Sequence, residues 1–251
     1  MLHAIPRRVG ATSACAAQLR DAILRGELQV GERLPPERSL AVTLGVNRAT
    51  VRAALHELEA SGLVTARQGS GYAVHDYLTS GGPDLLAPLA DLAREEGRLV
   101  GLAAELLSVR RHLARAVLER LAAWPPGEVA LGEALARVDA LAALAARRAP
   151  PVELVRGDVA VLAALLDATG SPVLRLFLNP AAAALAHVPE LGQAMMAEPA
   201  LNVAAWRGLL AALAGGALAV EATLAGLAAL DAATLARLAR ITPRGARRGA
   251  Q

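Results

Sequence analysis

The 251-residue sequence contains no lysine, a single cysteine, and only two Trp, two Tyr and one Phe. All 26 basic residues are therefore arginine, which is a compositional habit and carries no chemistry of its own. Cys15 has no partner for an internal disulfide, which excludes a disulfide-stapled fold and fits a reducing cytoplasm. With aromatics at 2 % and hydrophobic residues at 55 %, cores have to be built from Ala, Leu and Val, a mixture that favours helices over sandwiches. The net charge is only +3, so any affinity for a polyanion must come from where arginines are placed.

Chemistry-bearing constellations are also absent. There is no P-loop, no nucleophile elbow and no Cys/His cluster, so an enzyme reading has nothing to stand on. Asp158 with Asp167 or Glu153 reads as solvated helix charge. His112 and His187 alone cannot supply the four or so ligands that zinc needs, so neither metal nor cofactor is expected. No secretory leader is expected, because Arg7 and Arg8 are not followed by an apolar core of the right length. Residues 208–230 carry one charge, Glu221, and are long enough to span a bilayer. Gly215-Gly216 in their middle and the cost of Glu221 in lipid favour two buried helices joined at the glycine pair, with no membrane partner.

What is present is concentrated in residues 34–52, LPPERSLAVTLGVNRATVR. Pro35 and Pro36 suit the entry to a helix, and Glu37 puts negative charge at its positive end. Leu40 and Leu44 share a face, and Gly45 closes the helix. Asn47 then predicts an N-cap that accepts from the backbone N–H near Thr50. Val51, Ala54, Leu55 and Leu58 repeat at i, i+3, i+4 and i+7 as the buried face of a second helix. Arg48, Ala49 and Arg52 fall elsewhere on the cylinder, open to solvent or to a major groove. After Gly62, residues 63–67 and 72–74 read as strands around the tip Gln68-Gly69-Ser70-Gly71, where Arg67 or Gln68 would reach a phosphate or a minor groove. Upstream, residues 18–25 predict a helix with Leu19 and Ile23 inward, closed by Gly26.

The spacing of Gly26, Leu28, Gly31, Leu34-Pro35, Glu37-Arg38, Leu44-Gly45-Val46, Arg48, Thr50-Val51-Arg52, Ala54-Leu55, Leu58, Gly62-Leu63 and the Gly69 wing resembles the GntR family of bacterial one-component repressors. The resemblance implies that Arg38, Arg48 and Arg52 contact bases or phosphates, that Asn47 and Thr50 bind backbone phosphate, and that Gln68 and Gly69 form a minor-groove wing. Asn47 and Ala49 stand where Ser or Thr is more usual, a departure that bears on operator preference. It also implies double-stranded DNA as partner, a palindromic operator, and a homodimer in the cytoplasm.

Behind the wing, residues 79–82 read as a flexible linker between a winged helix-turn-helix domain (1–78) and an all-helical domain (83–243), with a disordered tail at 244–251. Helices are predicted at 83–96, 98–123, 128–147, 152–169, 172–187, 190–214 and 217–240, broken by Gly and Pro. The fold class is thus mainly α, a winged helix followed by a six- or seven-helix bundle. Leu106 to Arg110, Asp158 and the run Ala168 to Pro172 resemble the FadR-like branch of the family, whose bundle senses a ligand. That branch divides into a type holding a metal through an Asp and three His, and a type with an apolar cavity for fatty acyl-CoA. Leu162 and Trp206 stand where the metal type needs histidine, so the resemblance implies the acyl-CoA type, with Arg110, Asp158, Leu162 and Trp206 as ligand-site positions. The final helix, from Leu224 to Leu238, is almost wholly Ala and Leu and reads as core. A small organic acid as effector, a bundle with no ligand, and a wing used only for protein contacts are the alternatives.

Overall fold

The computed structural model describes residues 9–67, 71–186 and 188–242, with backbone alone for residue 9 and residues 180–186. Gln68, Gly69, His187 and the tail at 244–251 lie outside the described residues. The chain divides into two compact units, Met1–Leu92 and Ala93–Gln251, each with its own apolar core. The architecture is mainly α, as the sequence predicts: a winged helix-turn-helix and an all-helical bundle.

The first unit contains α1 (Val9–Leu24), α2 (Glu37–Thr43), α3 (Arg48–Ala60), β1 (Val64–Arg67) and β2 (Gly71–Val74). Helix α1 starts well before the predicted residue 18, because the small side chains of Cys15 and Ala16 pack into the same core as Leu19 and Ile23. Val51, Ala54, Leu55 and Leu58 are all buried, which seats α3 on α1 and α2. The two strands pair antiparallel with Val64 opposite Val74 and Arg67 opposite Gly71. Glu59 reaches across from α3 to accept the Ala66 N–H at 3.1 Å, and Leu34 N–H bonds Tyr72 O at 2.9 Å, so helix and entry loop both fix the wing.

The segment read as a flexible linker is structured. Tyr77–Ser80 is a helical turn, α4, capped by Asp76, whose side chain accepts from Leu78 N–H at 3.0 Å. The Ser80 hydroxyl donates to Gly62 O at 2.7 Å, and the approach is so close that a Cβ on Gly62 would lie 2.2 Å from Ser80 O. Gly62 also has φ of +72°, so only glycine suits this position. After a 3₁₀ turn at Pro83–Leu85, α5 (Leu86–Glu95) follows, and Leu85 and Leu92 are buried in the first core. The unit therefore extends to Leu92 and not to residue 78. Thr, Ser and Gly read as a loop by composition, but the Thr79 and Ser80 hydroxyls bond nearby backbone and hold this one in place.

The second unit is built from α6 (Leu99–Ala123), α7 (Glu128–Ala146), α8 (Pro151–Ala168), α9 (Pro172–Ala186), α10 (Pro189–Met195), α11 (Pro199–Ala214) and α12 (Val220–Ile241). The single helix predicted over 190–214 is two helices. Pro199 drives Glu198 out of the helical region, to φ −129° and ψ 71°, and then starts α11 at its first turn. Helix α7 packs on α8 and α11, and α6 runs along α12. Leu121, Val138, Leu141, Val161 and Leu165 are fully enclosed. Gly157 allows the close α7–α8 approach, since a Cβ there would meet Leu144 Cδ1 at 3.0 Å. Gly216, with φ of +64°, makes the predicted break before α12. Helix α12 is long and apolar enough to cross a membrane by length and composition, yet it places Asp231 and Arg237 in ion pairs within the bundle.

Candidate functional site

Two places carry the sequence-predicted residues, one in each unit. In the first unit, Arg38, Asn47, Arg48, Ala49 and Arg52 are all exposed, and Thr50 is half-buried. Asn47 is the N-cap of α3: its Oδ1 accepts from Thr50 N–H at 2.8 Å and from the Thr50 hydroxyl at 3.1 Å. That cap occupies the oxygen and leaves the Nδ2 hydrogens as donors for a phosphate. Arg67 is exposed at the end of β1.

One functional contact escaped the sequence reading. Arg52 donates to both oxygens of Glu37, from Nε at 3.1 Å and from Nη2 at 2.9 Å, and Arg48 Nη2 lies 3.9 Å from the same carboxylate. Glu37 thus sits between two exposed arginines of α3 and sets the plane of one of them. The Arg52 hydrogen bond holds the Glu37 carboxyl below its ordinary range, and the Glu37 carboxylate in turn holds the Arg52 guanidinium more firmly protonated. Fifteen residues separate the pair, so no i, i+4 pattern announces it. The signal that was available is the acidic residue at the start of α2, which the helix dipole explains equally well.

In the second unit, Arg110, Asp158, Leu162 and Trp206 line a single cavity of about 660 Å³, together with side chains from α10 and α12. That size lies within the range of small-molecule pockets. Its wall is mainly Leu, Val, Ala and Met. Asp158 is not the solvated helix charge that the sequence suggested. It is half-buried, its open side belongs to the cavity, and its Oδ1 accepts the Trp206 indole N–H at 2.7 Å. Burial pushes the Asp158 carboxyl above its ordinary value, against the opposing pull of the Trp206 hydrogen bond, the Arg110 charge and the Asn202 hydrogen bond. The groups beside Asp158 are thus an indole N–H, a guanidinium and an amide, which offer hydrogens where a cation requires lone pairs. These residues do not fit the metal that one branch of the family resemblance would place there.

Helix α12 supplies what the sequence reading overlooked. Asp231, 1 % exposed, accepts from Arg110 Nη2 and from Arg111 Nη1, the latter at 2.6 Å. Thr234, also buried, lines the cavity, and Arg237 pairs with Glu198 at its rim. An isolated Asp in a run of Ala and Leu was the available signal, because an apolar helix tolerates a carboxylate only where a partner waits for it.

The raised Asp158 carboxyl makes a prediction. A group that binds its proton more tightly in the folded state adds stability below its ordinary value and loses that contribution as pH rises through the folded one. Asp158→Asn keeps an oxygen for Trp206 and removes the titration. In urea unfolding its stability relative to the wild type is expected to rise from about pH 4 toward about pH 7. A relative stability that falls with rising pH would contradict the assignment.

Residues 11–74 match the family model described as bacterial regulatory proteins, gntR family. An uncharacterised HTH-type transcriptional regulator of Mycobacterium tuberculosis is 37 % identical over 108 residues, covering 38 % of this chain and 45 % of its own length. The Uxu operon transcriptional regulator of Escherichia coli is 40 % identical over 103 residues, covering 41 % of this chain and 37 % of its own. The chain thus spans less than half the length of these curated relatives. Among solved structures, Lar, described as controlling the expression of the Listeria monocytogenes agr system and mediating virulence, superposes with a TM-score of 0.58 at 17 % identity. The match covers 95 % of this chain and 100 % of that one, and it is a likeness of fold.

Proposed function

We propose that this chain, whose residues 11–74 are a gntR-family helix-turn-helix domain, is a cytoplasmic DNA-binding transcription repressor that works as a homodimer and performs no catalysis. The carrying observation is the exposed set Arg38, Arg48 and Arg52 around a capped α3 whose opposite face is wholly buried. A helix so mounted enters the major groove with its N-terminal turn, and the wing beside Arg67 follows the neighbouring phosphates or minor groove. Two copies would take half-sites of a palindrome roughly 34 Å apart.

The second unit is the effector domain on this reading, and its cavity is the effector site, with Arg110, Asp158, Leu162 and Trp206 in its wall. An acyl chain, such as that of a fatty acyl-CoA, suits the apolar lining, each buried CH2 contributing about 0.8 kcal/mol. Such a ligand changes DNA binding only if it prefers one arrangement of the dimer over the other.

The test is a DNase I footprint on the DNA upstream of the protein's own coding region. Protection of two half-sites about one helical turn apart is expected. Affinity should fall with salt, by a log–log slope of about −0.9 for each phosphate contacted. Absence of any protection would instead favour a wing that contacts protein.

A further inference from the structure

The row of exposed groups on α3 does not stop at Arg52. His56 follows Arg48 and Arg52 at the same four-residue step, and its side chain is 62 % exposed. Eight residues carry a helix about 12 Å along its axis, more than the depth of a major groove, about 8.5 Å. With the first turn of α3 in the groove, His56 is therefore level with the phosphates at the rim. The rim on the wing side is the strand that separates the major groove from the neighbouring minor groove, so it crosses the seam between α3 and the wing. His56 lies on that seam. Its ring meets the edge of the Tyr72 ring on β2, with centroids 6.4 Å apart and planes at 85°. Its Nδ1 is 3.6 Å from Glu59, the carboxylate whose other oxygen accepts the Ala66 N–H of β1.

The charged and titratable groups around this imidazole are Arg52 and Glu59 of α3, Glu37 at the start of α2 and the Tyr72 phenol of β2. The hydrogen bond from Arg52 holds the Glu37 carboxyl below its ordinary range, while burial and the Glu59 and Glu37 charges hold the Tyr72 phenol above its own. Neither changes charge between about pH 8 and about pH 6, the interval in which histidine does. With a neutral ring, a phosphate at the seam meets the Glu59 carboxylate uncompensated. A protonated ring offsets that carboxylate and donates an N–H to the phosphate.

We infer that His56 is a DNA-backbone contact made in its protonated form at the seam between α3 and the wing, so that the chain holds DNA more tightly as the solution is acidified. This rests on the reading of the first unit as a DNA-binding domain and adds to it a contact residue and a dependence on pH. A phosphate contact carries no sequence information, so the gain applies to operator and non-operator DNA alike.

The test is fluorescence anisotropy of the full-length protein on the footprinted operator duplex and on a scrambled duplex of equal length, from about pH 8 to about pH 6 at fixed ionic strength. Wild-type affinity for both should rise by roughly fivefold or more, and the log–log salt slope should steepen by about 0.9 per protomer as the extra phosphate contact forms. His56→Gln, polar but never charged, should flatten the pH profile and keep the shallower slope. His56→Arg, charged throughout, should bring the tighter binding and the steeper slope to about pH 8. His75→Gln, at the other described histidine of the first unit, whose ring is hydrogen-bonded to the Ser80 hydroxyl, should keep the wild-type rise. A rise that survives in His56→Gln, or wild-type binding that stays flat as pH falls, overturns the inference and leaves the DNA-binding reading intact. No binding to either duplex at any pH overturns both.

Discussion

Arg52→Ala is expected to weaken binding to the footprinted operator by roughly ten- to a hundredfold, the size of losing one bidentate arginine-to-guanine contact. Arg48→Ala should behave alike if it reads a base. If it holds a phosphate, its loss should be uniform across sequences and lower the salt slope by about one. Neither change should unfold the domain. Both arginines are exposed, and a solvent-exposed ion pair such as Arg52 with Glu37 contributes little to stability. Thermal melting should therefore stay near that of the wild type while fluorescence anisotropy on operator DNA records the loss. Glu37→Gln separates charge from orientation. It removes a negative charge from the DNA-facing side and frees Arg52 to rotate, so affinity for scrambled DNA should rise while discrimination in favour of the operator falls. Full binding by Arg52→Ala would move recognition from α3 to the wing and remove the basis of the proposed function.

Asp231→Ala should destabilise the second unit by roughly 3 kcal/mol, the lower end of the cost of removing one partner from a buried ion pair. The lower end applies because Arg110 and Arg111 keep side-chain exposures of 22 % and 30 %, against 2 % for Asp231. The truncation leaves two guanidinium groups of α6 facing an apolar stretch of α12. In a unit of this size the melting temperature should fall by roughly 10 °C. Asp231→Asn, which keeps an acceptor oxygen, should lose less. Replacing Arg110 as well as Asp231 by alanine should cost less than the two single losses added, since the second change removes the charge that the first stranded. A loss below about 1 kcal/mol for Asp231→Ala would mean that the pair behaves like an exposed one and that packing alone joins α6 to α12.

The contrast between these two sites follows from how far apart their residues lie in the chain. Every signal of the helix-turn-helix acts over a few residues: the cap of Asn47 on Thr50, the spacing of Val51, Ala54, Leu55 and Leu58, the positive φ of Gly45 and Gly62. A sequence reading can follow such local rules without knowing the fold. Helix α12 resisted the same treatment. Residues 224–238 read only as an Ala and Leu core, and nothing local marks Asp231 and Arg237, because their partners, Arg110 and Arg111 on α6 and Glu198 ahead of α11, lie far away in the chain. The reach of the first unit to Leu92 was missed for a similar reason, since the hydroxyl of Ser80 meets Gly62 only after the wing has folded.

The sequence by itself determined that there is a winged helix-turn-helix with Arg38, Arg48 and Arg52 on its open face, and that the remainder is helical, because caps, breakers and apolar periodicity are local. The family resemblance named Arg110, Asp158, Leu162 and Trp206 together, but tertiary structure alone decided the cavity that they line and the groups that Arg110, Asp158 and Arg237 meet there. Periodicity places a residue on a face of its own helix. Which charge it meets there depends on how the helices pack, and the energy of a buried charge is decided by that partner.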